Sequence, residues 1–319
     1  MNFSSTLNIA MLCLVVTLLA ACSRPRQIVP YEVDTDEIYK ILSPNEDNSP
    51  QEVTFGPDSI PGFTFDFEIT TDKEDVYIFF ENLTVLNINA KIGDAICDFV
   101  ISELKEYGFL SPDNKFSGTE FSDLNAQGLS FSESAAKILD EIRNDFLSRA
   151  NSLDDYNQAF NAYLQVYPVY LNNKIVTFRQ SAYFYTGGAH GMTISYLKSY
   201  NLETGDELDL EDIIKPGAIE AVREEVAAHM AYSYPIYENI TTVDQYIDSL
   251  NIWLDNFDPE DKTEQITYNN FPISDVAITE QGLVFIYQMY ELTPGADGCP
   301  VIVISYKDLK GCINDNLGI

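Results

Sequence analysis

The chain reads as an α+β protein: an antiparallel sheet meander with helices packed on it, arranged in two small α+β units. Two observations predict this. Hydrophobic residues recur at helical spacing in several blocks and alternate with period two in others. The blocks come as runs of strands and runs of helices rather than in strict alternation. A third observation sets the scale, since 319 residues with 45% hydrophobic content, 20 Tyr and 19 Phe can bury a sizeable core.

Taken in order, "FTFDFEI" (63–69) alternates strictly and predicts a strand. "DVYIFF" (75–80) predicts a second. Over 83–107, Ile88, Ile92, Ile96, Phe99, Val100 and Leu104 share a helical face, and Gly108 follows as a C-cap. Residues 111–128 read as a polar loop. A second amphipathic helix is predicted over 132–150, with Ser132 supplying the N-cap. Period two returns in three runs, 162–171, 175–185 and 192–202, separated by Asn172-Asn173 and by Thr186–Gly191; together they predict the meander. A turn and helical start over 204–214 lead into a helix over 216–231. Another helix, over 242–257, holds the only tryptophan, Trp253. Residues 276–279 and 283–290 form a hairpin, 301–305 a last strand, and 307–312 a short closing helix.

The N-terminus predicts a location. Residues 1–21 carry no charge, and the apolar run 9–21 is shorter than the roughly 20 residues of a membrane span. It ends in Leu19-Ala20-Ala21-Cys22, which resembles a bacterial lipobox. That resemblance implies a signal peptide over 1–21, lipidation of Cys22, and a cell-envelope location, at the outer membrane facing the periplasm. Residues 22–50 read as a flexible tether.

Charge narrows the partners. Eighteen basic and 50 acidic residues leave a formal charge of −32, which repels nucleic acid and favours basic proteins. Cysteines outside the signal segment and the lipobox are Cys97, Cys299 and Cys312. An oxidising compartment permits a disulfide, and Cys299 and Cys312 are the expected pair. Cys97 falls in a helical apolar pattern as a small hydrophobe.

"YTGGAHG" (Tyr185, Thr186, Gly187, Gly188, Ala189, His190, Gly191) holds one of two histidines. Its glycines fit a reversal needing positive φ. His190 would bond across the turn or cap the segment 209–212; a catalytic version would pair it with Asp212 or Glu211. No nucleophile elbow accompanies it. His229, in mid-helix, reads as a packed or surface residue. No Cys/His pair has zinc spacing, and the EF-hand-like "DNKFSG" (113–118) has Lys115 at a ligand position and Leu124 where a bidentate Glu belongs. No phosphate or dinucleotide fingerprint is present. Neither a catalytic set, a metal site nor a cofactor is expected. Tyr232, Tyr234 and Tyr237 around Pro235 offer a sugar-stacking alternative.

The stretch "SAYFYTGGAHGMTISYLKSYNLETGDELDLEDII" (181–214) is similar to the core signature of the RsiV-like domain family, in which this turn precedes a strand and an Asn/Asp-Leu-x-Thr-Gly segment. "YELTPGADGCPVIVISYKDLKGCI" (290–313) resembles that family's ending, with Gly295 where an aromatic is usual. Residues 51–155 resemble the PdaC-type N-terminal partner domain, leaving 156–319 as the RsiV-like part. The resemblance implies an extracytoplasmic module without catalysis of its own. In anti-sigma factors of the family it is the outer sensory part and recognises lysozyme; in deacetylases it accompanies a catalytic domain with an Asp-His-His metal site. With two histidines, this chain does not carry that site. Three readings follow: a lipid-anchored module meeting a basic envelope protein such as a lysozyme-like hydrolase, a binder of peptidoglycan or other cell-wall glycan, and a hydrolase centred on His190.

Overall fold

The computed structural model describes residues 26–30, 64–71, 76–84, 89–113, 121–129, 131–150, 160–185, 189–254, 265–273 and 275–319. Among the described residues, eight strands form two antiparallel sheets, and helices flank them, giving the mixed α+β class. The five-stranded sheet has order β2-β1-β3-β4-β5, with β1 Thr64–Thr71, β2 Val76–Thr84, β3 Phe160–Leu171, β4 Ile175–Tyr185 and β5 Met192–Asn201. The three-stranded sheet runs β6 Val276–Ile278, β7 Gly282–Ile286, β8 Val301–Ser305.

The chain divides into two units: a small one of Met1–Tyr31 and Arg223–Phe271, and a large one of Glu32–Val222 and Pro272–Ile319. This differs from the expected break between 155 and 156. Strand β1 hydrogen-bonds β3 from Phe65↔Val166 to Thr71↔Phe160. One sheet therefore spans that boundary, because β1 completes the edge that β3 would otherwise leave unpaired.

In the large unit, α1 (Ala90–Glu106) covers one face of the five-stranded sheet. Asn89 caps it by accepting from the Lys91 amide at 3.1 Å. The helix thus starts later than the expected residue 83, since 83 and 84 complete β2. At its other end Gly108 adopts φ 78°, and the amides of Phe109 and Leu110 both reach the Leu104 carbonyl. Ile92, Ile96, Val100 and Leu104 of α1 enter one core with Leu164, Val166, Phe178, Ala182 and Phe184 of the sheet. Leu124, in the short helix α2 (Phe121–Ala126), is fully buried in that core, and helix α3 (Phe131–Ala150) adds Ile138 and Ile142.

The sheet's other face meets the three-stranded sheet. Leu197 packs with Ala277, Val284, Ile286 and Val303. Thr177 and Ser199 stitch the layers together. The Thr177 hydroxyl donates to the Ile278 carbonyl at 2.6 Å, and the Ser199 hydroxyl accepts from the Ile278 amide at 2.9 Å. After β5, Asn201 turns the chain by accepting the Glu203 and Thr204 amides, Gly205 takes φ 78°, and α4 (Leu210–Ile213) follows. Residues 307–312 form hydrogen-bonded turns rather than the expected helix, the Leu309 amide bonding Ser305 and the Cys312 amide bonding Leu309.

Helix α5 (Ile219–Ser233) leads into the small unit, which also contains α6 (Val243–Trp253). Thr242 and Gln245 make a capping box at the start of α6. Asn251 is buried, and its amide bonds both the carbonyl and the amide of Ile266, at 2.8 and 2.7 Å. Residues Arg26–Ile28, expected in the tether, dock here instead. The Ile28 amide bonds Thr241, and the Val243 amide bonds Arg26. The docking segment supplies backbone partners to the chain entering α6.

Candidate functional site

Strands β4 and β5 are in register up to Phe184↔Met192, so the loop between them must reverse within a few residues. Thr186, Gly187 and Gly188 lie outside the described residues, as does Cys22. Tyr185 ends β4 half-buried, and His190 is exposed. Nδ1 of His190 lies 3.1 Å from the carbonyl of its neighbour Gly191, and Nε2 lies 3.3 Å from the hydroxyl of Tyr290, 100 residues away. The His190 and Tyr290 rings sit 6.2 Å apart at 38°.

Gly191 is needed for space and not, as expected, for a positive φ. A Cβ there would fall 2.4 Å from Cζ of Tyr183 and 2.6 Å from the Phe184 carbonyl oxygen. Gly295 plays the same part across the site, where a Cβ would fall 2.2 Å from Cζ of Tyr290. Tyr290 itself holds φ 68°, a left-handed backbone that a bulky side chain rarely adopts. Two glycines thus seat two exposed tyrosine rings, Tyr183 and Tyr290, beside His190. Sequence reasoning missed both tyrosines. The aromatic expected at 295 was a signal, since the Tyr290 ring occupies the space above that glycine.

Asp212 does not join this group. It forms a capping box with Asp209: the Asp212 amide donates to Oδ1 of Asp209 at 3.0 Å, and the Asp209 amide donates to Oδ2 of Asp212 at 3.2 Å. Asn314 then bonds the Asp212 carbonyl at 2.8 Å. The carboxylate serves a helix start, so the pairing of His190 with Asp212 is not formed.

The disulfide expected between Cys299 and Cys312 is not present either; Cys97, Cys299 and Cys312 are all free. Cys299 precedes β8 and its thiol points to the Thr193 carbonyl at 3.6 Å, whereas Cys312 follows β8 and its carbonyl accepts the Lys215 amide. A five-residue strand between them spans about 16 Å, more than a disulfide bridges. Burial, and then the carboxylates of Asp94 and Asp98, push the Cys97 thiol well above its ordinary range.

His229 is buried in the small unit, 3.7 Å from Glu225, whose carboxylate also takes Arg26. The bond to His229 first, and then Arg26, hold Glu225 down at about 2 against its burial. Among the described residues no group of three or more His, Cys, Asp and Glu is arranged to hold a metal ion. Nor is any helix among them long and apolar enough to cross a membrane.

Glu211, in α4, opens a span running through Tyr290 to Lys307 that matches a family model described as "Protein of unknown function (DUF3298)". Residues 211–307 carry a DUF3298 domain. The span holds Tyr290 but not His190. Among solved structures, a DUF3298 family protein from Pseudomonas aeruginosa PAO1 is 22% identical, covering 54% of this chain and 71% of its own, with a TM-score of 0.35. A DUF3298 family member from Bacteroides fragilis NCTC 9343 is 16% identical, covering 76% of this chain and 84% of its own, with a TM-score of 0.35. Comparison with curated proteins finds no match.

Proposed function

We propose that this chain is an RsiV-like, lipid-anchored binding module of the cell envelope that recognises a basic envelope protein such as a lysozyme-like hydrolase. The observation that carries the reading is the charge of −32, which attracts cationic partners over long range. The lipobox-like Leu19–Cys22 supplies the anchor, at the outer membrane facing the periplasm. Arg26, four positions after Cys22 in sequence, accepts the Val243 amide at the start of α6. His190 spends both ring nitrogens on Gly191 and Tyr290, which suits a positioned surface better than a general base.

A second reading, binding of cell-wall glycan, is favoured by the tyrosine rings of Tyr183 and Tyr290, 40% and 46% exposed. Titration calorimetry separates the two. An animal-type lysozyme and soluble peptidoglycan fragments are each titrated into the chain at low and high salt. The first reading expects lysozyme affinity of roughly micromolar or tighter that falls steeply with salt. Binding of fragments alone, with little salt dependence, moves the function to glycan. Turnover of a wall substrate that vanishes in His190→Ala would replace both with the hydrolase reading.

A further inference from the structure

In the small unit, exposed apolar side chains gather where the N-terminal segment docks. Val29 is 50% exposed and directly follows Ile28, whose amide bonds the Thr241 carbonyl. Gln27 bridges Thr242 in antiparallel fashion, so Val29 runs alongside the end of the connection 234–242 between α5 and α6. That connection and the last turn of α5 expose Tyr232 and Tyr237, at 42% and 49%, with Pro235 exposed between them. Chain continuity joins the two tyrosines, and the bridge brings Val29 to them. Apolar surface gathered in this way marks a contact with a protein or a membrane.

Charge is sparse along the same stretches. Residues 27–30 carry none, and Glu238 is the only Asp, Glu, Lys or Arg in 226–243, although the chain holds 50 acidic residues. The bordering carboxylates have partners: Glu225 takes Arg26 and His229, and Asp244 bonds Tyr268. Glu224 lies eight residues before Tyr232, about 12 Å along α5. Elsewhere the net charge of −32 keeps this chain away from anionic surfaces, and this patch is nearly free of that repulsion.

Chain length names the occupant. Arg26 is four positions after Cys22, so their Cα atoms lie within about 14 Å of each other. Arg26 is itself fixed to the small unit, its carbonyl accepting the Val243 amide and its guanidinium paired with Glu225. A lipid on Cys22 therefore holds this end of the small unit close to the bilayer. At that range a weak surface affinity is enough, because the anchor makes the contact an intramolecular step. Tyrosine suits such a contact, with an apolar ring and a polar tip that sit at headgroup level. We propose that the small unit rests on the phospholipid bilayer through Val29, Tyr232 and Tyr237, with Glu238 the one carboxylate that meets headgroup ammonium groups. The inference rests on the lipidation of Cys22 proposed above.

The test uses the full chain carrying its lipid, on vesicles of phosphatidylcholine and phosphatidylethanolamine. Trp253→Phe combined with Tyr237→Trp leaves one indole, at the surface, and brominated acyl chains report its contact with the bilayer. Its emission is expected to fall about twofold on brominated relative to plain vesicles, as for side chains buried at the headgroup and acyl boundary. Val29→Glu in the same background should reduce that quenching. The chain with its native tyrosines and tryptophan gives a second readout, which decides if the tryptophan variant fails to fold. Enzymatic iodination, confined to water, should label Tyr237 several-fold less on vesicles than in the Cys22→Ser chain in solution. In a chain that carries lipid by mass and floats with the vesicles, either an unquenched indole in a folded variant or full labelling of Tyr237 overturns the proposal and leaves the anchor standing. A chain without lipid on Cys22 removes the anchor and the proposal together. Protection of Tyr237 by soluble peptidoglycan fragments and not by vesicles gives the surface to glycan and overturns the membrane contact.

Discussion

Single atoms decide much at the β4–β5 turn. Gly191 faces the ring of Tyr183 and the Phe184 carbonyl at distances no Cβ tolerates. Gly191→Ala should therefore destabilise the large unit by about 1–3 kcal/mol, the cost of overpacking, and shift Tyr183. Thermal melts of the variant test this, and a neutral outcome would mean the ring moves freely. Thr177 is the second such residue. Its hydroxyl is buried and joins Ser199 to the Ile278 carbonyl. Thr177→Val keeps the shape but leaves that carbonyl without its side-chain donor, with an expected loss of about 1–3 kcal/mol in urea unfolding.

Helices and their caps carry the next level. The Thr242–Gln245 box closes the start of α6, so Thr242→Ala should lower stability by about 1 kcal/mol, read from the denaturation midpoint. The Arg26–Glu225–His229 group ties the N-terminal segment to α5. Glu225 is held at about 2, below its ordinary 4.5. A carboxyl depressed on folding adds stability that is complete above about 4.5 and is lost as pH falls toward about 2. Urea unfolding at pH 5 and pH 2.5 should show a larger drop for the native chain than for Glu225→Gln. An equal drop in both would mean that the ion pair adds nothing.

Across the whole molecule the charge of −32 acts as a field. Like charges repel within the compact state, and salt screens them. Raising sodium chloride from low salt to about 0.5 M, where the Debye length falls to a few ångströms, should raise the melting midpoint. A fall would mean that attractive pairs such as Lys198–Glu207 and Lys215–Asp315 outweigh the repulsion.

The sequence by itself determined the α+β class, the β3–β5 meander and most helix spans, because side-chain periodicity and cap residues are local properties. Gly108 and the Asn172-Asn173 turn were legible for the same reason. Other features depend on contacts between residues far apart in sequence, and only the tertiary structure decided them. They include the pairing of β1 with β3, the docking of Arg26, and the separation of Cys299 from Cys312 by the length of β8. The site divides in the same way. His190 stood out by rarity and motif, whereas Tyr290 acquires meaning from what it faces, a histidine 100 residues away. Periodicity records which face a side chain takes, but not what that face meets.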